Sequence, residues 1–412
     1  MDSNLTLMDL GGTLRTAKPQ DTLLKMLPLA KKIGITRLAN VTGLDSIGMP
    51  TWLAVRPLAK SLTVSQGKGI TNDLAKVSAL MESVELYHAE EFVPTDTYSS
   101  LHQASNNTNT FVDPLLLPLK QSKSINVNEE FEWTEASGYF SEKTFFIPRH
   151  MVCMDGSLAL VQPTPFVSSS NGLASGNNIQ EAVLHAALEV IERDQLSFWL
   201  ISTLKTARSK TRIDLKTINN SICNDLLDEI DNAGLNVAIW YATTTLPIPV
   251  FVCTVFDSNN KTVYSQRASG YGCHPFKHIA LSRAITEAIQ SRLTHISGSR
   301  DDSGWLKYTE DLPTSSPKNQ AWSNSILLEP VTFDYSIIPE CEKRTTADEY
   351  LADIQGILYN SGMGEILYLN LTQLDVGIDV CHVTIPNIEY NANKDHYTPG
   401  KRMIHFLNTT DY

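Results

Sequence analysis

The 412-residue sequence predicts an α+β fold in which helices pack in layers against mostly antiparallel sheets. Three observations indicate this class. Strand-like runs occur in pairs joined by short turns, long helical segments separate the pairs, and the order lacks the strict strand–helix alternation of a doubly wound sheet. The length suffices for one large domain or two of ordinary size, and we expect a single domain over 1–412. Residues 93–135, where Pro, Ser, Thr and Asn are frequent, are predicted to be a loop-rich insertion with short helical pieces.

The N-terminal third is predicted to contain one helix, three strands and a second helix. The first helix lies around 22–33, and the strands lie near 37–42, 51–56 and 62–65, with a hairpin-like turn through 45–50. A Gly-Lys-Gly turn, Gly67 to Gly69, then leads into the second helix. A strand, a glycine turn and a helix N-terminus together suit a phosphate, and Lys68 adds a full charge. The sequence GxxxxGK[ST] is absent, so this is not a Walker A motif.

The remaining elements follow from the same patterns. We predict the following, in chain order: strands at 132–138, 144–148 and 158–162 with a hairpin turn at 154–157; a small-residue turn at 166–178; helices at 179–206 and 210–235; strands at 236–243, 250–257 and 261–268; a glycine-containing turn before a helix at 275–297; an irregular stretch at 298–325; a helix near 346–360; strands at 365–370 and 379–384; and a polar loop to the end.

Composition and charge exclude several classes of function. A net charge of −12 disfavours nucleic-acid binding, because contact with phosphates requires a basic surface. No stretch approaches 18 uncharged apolar residues, and the N-terminus lacks a basic-then-apolar signal pattern. The six cysteines are scattered, without zinc-ligand spacing. We therefore expect a cytoplasmic protein that binds neither nucleic acid nor membrane.

The helix after the Gly-Lys-Gly turn carries a polar line beside its apolar stripe. Ser78, Glu82 and Glu85 are spaced i, i+4 and i+7, so their side chains lie on one face of the helix. Two carboxylates one turn apart near a buried seam repel each other and favour a bound cation. The alternative is a solvated helix edge.

Two later helices repeat this design. Glu181, His185, Glu189 and Glu192 share a broad face of the helix at 179–206. The helix at 275–297 carries Arg283, Glu287 and Gln290 at i, i+4 and i+7. Three such lines suggest three helices around one shared, ion-filled cavity.

Simpler interpretations stand beside this one. Glu181 and Glu287 could be first-turn carboxylates or members of helix–helix salt bridges, and His185 is more readily a core histidine with a satisfied hydrogen bond.

Together the three segments resemble the YcaO family of ATP-dependent enzymes, over roughly 15–402. The matching segments are SQGKG…SALMESVE at 65–85, GLASGNNIQEAVLHAALEVIERD at 172–194 and GYGCHPFKHIALSRAITEAIQSRL at 270–293, in the family order. TGLD at 42–45 is also similar to the family. One departure is Leu86, which stands where some members carry Arg.

The resemblance implies that the chain phosphorylates the oxygen of a peptide-bond amide with ATP, so that a nucleophile can replace that oxygen. It implies Mg²⁺ as the bridge between acidic residues and the triphosphate. The implied Mg²⁺ ligands are Glu82, Glu85, Glu189 and Glu192. The implied phosphate contacts are Lys68, Arg193, Arg283 and, more weakly, Arg15, and the residues implied to hold ribose, adenine or metal-bound water are Ser78, Asn177, Glu181 and Gln290.

Within the family, the chain looks more like the branch associated with thioamide formation. ELYHAE at 85–90 and the RxxxPxxTL pattern at 15–23 are similar to that branch, and the chain ends in LNTTDY rather than a proline-rich tail. This implies a peptide or protein substrate, external sulfide as the nucleophile and a TfuA-like partner, and we expect a homodimer. The alternatives are an azoline-forming cyclodehydratase and a non-catalytic ATP-binding scaffold. A metal-dependent hydrolase is disfavoured by the lack of His ligands.

Overall fold

The computed structural model describes residues 6–93, 97–107, 111–120, 126–159, 164–205, 208–258, 267–300, 317–373, 378–390 and 398–409. Its helices are α1 (Pro19–Ala30), α2 (Asn72–Glu90), α3 (Leu101–Asn106), α4 (Arg149–Val152), α5 (Gly156–Ala159), α6 (Ile179–Lys205), α7 (Ser221–Asn232), α8 (Lys277–Ser297), α9 (Pro317–Leu328), α10 (Ala347–Asn360) and α11 (Lys401–Thr409).

The strands form antiparallel ladders. They are β1 (Met8–Asp9), β2 (Leu14–Arg15), β3 (Arg37–Asn40), β4 (Thr51–Val55), β5 (Val64–Lys68), β6 (Thr97–Ser100), β7 (Glu130–Gly138), β8 (Thr144–Pro148), β9 (Leu173–Gly176), β10 (Asn236–Tyr241), β11 (Val250–Phe256), β12 (Arg267–Cys273), β13 (Leu367–Asn370) and β14 (Asp379–Thr384).

Among the described residues these strands form four sheets. The sheets have the orders β1-β2, β3-β4-β5, β10-β11-β12 and β6-β7-β13-β14-β9, with β8 paired to β7 in the last. Each ladder between these strands is antiparallel. The α+β class with antiparallel sheets is therefore confirmed.

Three strand–helix pairs surround the centre of the molecule: β5 with α2, β9 with α6, and β12 with α8. In each pair the strand packs directly on the helix that follows it. A Cβ built at Gly67 would lie 2.0 Å from the backbone nitrogen of Ala79, and one at Gly272 would lie 2.0 Å from the carbonyl oxygen of Ala280. These glycines are needed because the two backbones approach too closely for any side chain.

This geometry corrects the sequence interpretation of the small-residue segments. Gly67 and Lys68 belong to β5, 173–176 form β9 within the predicted turn at 166–178, and Gly270 and Gly272 belong to β12. In the sequence these glycines indicate turns, whereas in the fold they permit strand–helix contact. The helices themselves begin after short connections: the Thr71 hydroxyl accepts from Leu74 N–H and the Asn178 side chain accepts from Glu181 N–H.

Several other predicted elements are wrong. Residues 156–159 form α5 rather than a hairpin turn followed by a strand at 158, while 160–162 lie outside the described residues. The predicted helix at 210–235 is only α7, which starts where the Asn220 side chain caps it. The predicted strand at 261–268 overlaps β12 at 267–268, and its residues 261–266 lie outside the described residues.

Regular structure also occurs where loops were predicted. Within 93–135, α3 agrees with the short helical pieces that we predict there, and Ser100 and Gln103 form a capping box on it. Strand β6, which pairs with β7, is an element that the sequence does not predict. Residues 317–325 belong to α9, and the C-terminal segment contains α11. The Glu389 carboxylate accepts from the N–H groups of Gly400 and Met403 and so caps α11. None of the described helices combines the length and apolar character that a membrane crossing requires.

Candidate active site

A cavity of about 470 Å³ lies between α2, α6 and α8. Residues from all three strand–helix pairs and from the hairpin β1-β2 line its wall. All twelve site residues expected from the sequence are among them: Arg15, Lys68, Ser78, Glu82, Glu85, Asn177, Glu181, Glu189, Glu192, Arg193, Arg283 and Gln290. The predicted shared cavity is therefore present, although the ligand contacts of these residues stay predictions.

The carboxylates of α2 are held by the edges of two different sheets. Glu82 Oε2 accepts the backbone N–H of Gln66 in β5 at 3.1 Å. Glu85 Oε1 accepts both the backbone N–H and the hydroxyl of Ser175 in β9, at 2.8 and 2.6 Å. Each acid is thus oriented by hydrogen bonds from a neighbouring strand.

Helix α6 contributes two acids and a cation near its middle. Glu192 Oε1 lies 3.4 Å from Arg193 Nη1, and the Arg193 guanidinium lies over the ring of Tyr271 at 5.5 Å from its centroid. Glu189 stands one turn before Glu192 and also lines the cavity. This arrangement places a cation beside acids that repel one another.

Helix α8 and β5 supply the facing wall. Lys68 Nζ forms an ion pair with Glu287 Oε2 at 2.9 Å, joining residues 219 positions apart. Arg283 Nη2 donates to His185 Nε2 at 3.2 Å, assuming the tautomer with the proton on Nδ1. Gln290 donates to the carbonyl oxygen of Gln66.

Glu181 connects α6 to the N-terminal hairpin. Its Oε2 accepts from the backbone N–H and hydroxyl of Thr16 at 2.8 and 2.6 Å, and its Oε1 lies 3.4 Å from Arg15 Nη1. Asn177 Nδ2 also donates to it, at 3.2 Å. Glu181 is a first-turn carboxylate, as the simpler interpretation allowed, but its ion pair joins the helix to the strand residue Arg15 rather than to another helix. Its role toward ribose, adenine or metal-bound water stays a prediction.

Burial raises the pKa of four of the cavity acids. It raises the pKa of Glu85 to about 8, with Glu82 and Glu189 adding repulsion, and it raises the pKa of Glu189 to about 7. Burial also raises the pKa of Glu82 and Glu192. Burial alone would raise the pKa of Glu287, but Lys68 and the nearby arginines outweigh it and hold that pKa below its ordinary value.

Several cavity residues are missed or undervalued by sequence reasoning. Gln66 and Ser175 act on Glu82 and Glu85 from other segments, and no local pattern reveals such contacts. Glu287 stands on the predicted polar line of α8, which is the available signal. The sequence favours a satisfied core histidine at His185; in the structure it lines the cavity, and its Nδ1 has no partner among the described residues.

The cavity wall fits a nucleotide with Mg²⁺. Six acids line it beside five cations, so a polyanion alone or a cation alone would be poorly matched. The acids are Glu82, Glu85, Glu181, Glu189, Glu192 and Glu287, and the cations are Arg15, Lys68, Arg193, Arg283 and Arg300. The described residues contain no group of three or more His, Cys, Asp or Glu side chains arranged to hold a metal by themselves. Mg²⁺ commonly binds through one or two carboxylates together with water and substrate phosphates. Two buried donors have no hydrogen-bond acceptor among the described residues: Arg283 Nε and Gln66 Nε2. A ligand oxygen could accept from them.

Comparison with known proteins identifies the family. Residues 66–389 match the family described as YcaO cyclodehydratase, ATP- and Mg²⁺-binding. The chain is 30% identical over 399 residues to an uncharacterized protein in the tfuA 3′ region of Rhizobium leguminosarum bv. trifolii, an alignment that covers 95% of this chain and 93% of that protein.

Solved structures share the fold. YcaO from Methanopyrus kandleri bound with AMPPCP and Mg²⁺ superposes with a TM-score of 0.74 at 17% identity, covering 96% of this chain and 99% of that one. A heterocyclase in complex with substrate and cofactor gives a TM-score of 0.68 at 20% identity, covering 94% of this chain and 55% of that one.

The family match over residues 66–389 identifies a nucleotide- and metal-binding protein. This chain belongs to the YcaO family, and its cofactors are ATP and Mg²⁺. YcaO enzymes are ATP-dependent modifiers of peptides.

Proposed function

We propose that this protein uses ATP and Mg²⁺ to phosphorylate the oxygen of a peptide-bond amide, most directly for backbone thioamide formation in a peptide or protein substrate. The observation that carries the proposal is the cavity in which acids of α2 and α6 face Lys68, Arg193 and Arg283. Amide oxygen is a very poor leaving group. When bound, ATP supplies the phosphoryl group that converts this oxygen into a good one.

The chain's own residues would bind and orient the reactants. Glu82, Glu85, Glu189 and Glu192 would hold Mg²⁺ directly or through water, and their mutual repulsion falls when the cation is present. Lys68, Arg193 and Arg283 would meet phosphate oxygens through charge-assisted hydrogen bonds, with Arg15 as a further candidate. Ser78, Asn177, Glu181 and Gln290 would contact ribose, adenine or metal-bound water.

The choice of thioamide formation rests on the sequence patterns and on the relative in a tfuA 3′ region. That relative also supports a TfuA-like partner that delivers substrate or sulfide. The second candidate is azoline formation, in which a Cys, Ser or Thr of the substrate is the nucleophile, because a heterocyclase shares the fold. A non-catalytic ATP-binding scaffold is less consistent with so many retained acids, since burying them without a cation is costly.

Intact-mass analysis tests these alternatives. Candidate peptides encoded near the gene would be incubated with the protein, Mg·ATP and sulfide, with and without a co-encoded partner. We expect replacement of one oxygen by sulfur, dependent on both ATP and sulfide. Loss of one water without sulfide would instead establish azoline formation.

A double substitution separates enzyme from scaffold. Glu189→Gln with Glu192→Gln should abolish the mass change, because two acids that we assign to Mg²⁺ are lost. If a complex containing this variant keeps its full activity, the protein is a scaffold. Binding of AMPPCP measured on the same samples would show whether the variant still receives the nucleotide.

A further inference from the structure

The two oxygens of the Glu85 carboxylate have different surroundings because Ser175 binds one of them. Ser175 is only 2% exposed, and both its backbone N–H and its Oγ–H donate to Glu85 Oε1. The described residues provide no hydrogen-bond donor to the other oxygen, Oε2, while Glu85 lines the cavity. One oxygen is therefore occupied by protein, and the other remains for a ligand.

This division affects which divalent cation the site prefers. Mg²⁺ requires near-octahedral coordination at about 2.0–2.1 Å, which the narrow angle between two oxygens of one carboxylate distorts. Ca²⁺ accepts either one or both oxygens of a carboxylate at about 2.3–2.6 Å, in a flexible geometry. A carboxylate with Oε1 already bound by two donors offers a single oxygen, which suits Mg²⁺.

We propose that Ser175 is a positioning residue that makes Glu85 a one-oxygen ligand and thereby favours Mg²⁺ over Ca²⁺. The inference rests on the proposed function only in taking Glu85 as a metal ligand. At Glu82 the corresponding bond comes from the backbone N–H of Gln66, which a side-chain substitution does not remove. Ser175 is thus the side chain through which the cation preference can be changed.

The test compares the binding of Mg·AMPPCP and Ca·AMPPCP to the full-length protein by titration calorimetry, with each metal in excess. Ser175→Ala removes the hydroxyl donor and keeps the backbone N–H. We expect the affinity for Mg·AMPPCP to fall by about 10- to 100-fold, as is typical when a partner of a ligating group is lost. The affinity for Ca·AMPPCP should fall less, so the ratio between the two metals decreases.

Two matched variants serve as controls. Ser137→Ala removes a hydroxyl from a half-buried position of β7, outside the cavity wall, and should leave both affinities unchanged. Ser175→Thr retains the hydroxyl and should keep the preference for Mg²⁺. A ratio of two affinities measured on one sample is insensitive to a fraction of misfolded protein.

The outcomes separate this inference from the proposed function. An equal loss of affinity for the two metals, or no loss, in Ser175→Ala overturns the role of Ser175. If Glu85→Gln weakens Mg·AMPPCP binding in that same case, Glu85 remains a metal ligand, and that part of the proposed function stands. If Glu85→Gln binds Mg·AMPPCP as tightly as the unaltered protein, Glu85 is not a ligand, and both the inference and that part of the proposed site are wrong.

Discussion

At the scale of single residues, Glu85 and Glu189 keep their protons to a higher pH than an exposed acid does, because burial raises the pKa of both. Burial raises the pKa of Glu85 from 4.5 to about 8 and that of Glu189 from 4.5 to about 7. The folded chain therefore binds protons that the unfolded chain has lost over this range of pH. Stability must then fall as the pH rises from the unfolded values toward the folded ones.

We predict that the metal-free protein has a lower Tm at pH 8.5 than at pH 6, and that Mg·AMPPCP stabilises it more at pH 8.5. Ligand acids must be deprotonated to bind Mg²⁺, so raising the pH removes a competing proton. Thermal denaturation followed by circular dichroism, with and without Mg·AMPPCP, measures both effects.

Glu85→Gln provides the control for this prediction. The amide does not titrate, so the decline in Tm between pH 6 and pH 8.5 should be shallower in the metal-free variant. An identical decline in the two proteins would mean that Glu85 is ionised throughout, contrary to the pKa expected from its burial.

Much of the candidate site could be predicted from the sequence, and the reason is helical periodicity. Ser78, Glu82 and Glu85 share a face because of their spacing, whatever the fold around them. The contacts of Ser175 with Glu85 and of Lys68 with Glu287 join residues 90 and 219 positions apart. Such pairings depend on the tertiary arrangement, and periodicity within one segment carries no information about them.

At the scale of secondary-structure elements, the close contact of β5 with α2 and of β12 with α8 fixes the cavity wall. A Cβ at Gly67 would meet backbone atoms of Ala75 and Ala79 at 2.2 and 2.0 Å, and backbone atoms cannot rotate away. Lys68 follows directly, so any displacement of β5 also displaces this predicted phosphate contact.

Gly67→Ala is predicted to destabilise the protein by about 3 kcal/mol or more and to weaken Mg·AMPPCP binding. The added methyl group would overlap the α2 backbone and force β5 and α2 apart. Gly356→Ala is the matched control. Gly356 is exposed within α10, and a Cβ at this position would meet no other atom within 4 Å, so alanine there should stabilise by about 0.5–1 kcal/mol. Urea denaturation of the two variants checks this difference, and equal stabilities would contradict it.

The glycines also explain where the fold could and could not be predicted. The predicted helices at 179–206 and 275–297 end within two residues of the bounds of α6 and α8, because their apolar periodicity extends over many turns. The sequence predicts turns at β9 and in part of β12, since glycine is also the commonest turn residue. Close packing between backbones produces the same glycine-rich sequence, and only the tertiary structure separates the two causes.

At the scale of the whole molecule, the C-terminal helix α11 packs against α6, one of the helices that line the cavity. Arg402 pairs with Asp194 at 2.5 Å, and the Asp194 side chain is fully buried next to Arg193. Phe406 of α11 packs edge-on against Phe198 of α6. The end of the described chain is therefore part of the support for α6.

Arg402→Ala is predicted to destabilise the protein by about 3–5 kcal/mol, because it leaves a buried carboxylate without its cation. Arg402→Met combined with Asp194→Leu removes both charges and should recover most of this loss. The free energies of unfolding in urea provide the comparison. A double variant no more stable than Arg402→Ala would show that the charge of Asp194 is not the cause.

The ion pair between Lys68 and Glu287 also bears on how the chain folds. It closes a loop of 219 residues, and the cavity takes its wall from sheets and helices spread over most of the sequence. Contacts between residues so far apart in sequence form late in folding, because closing a long loop has a large entropic cost. A nucleotide therefore binds the native state and not the transition state for folding. It should slow unfolding and leave the rate of folding almost unchanged.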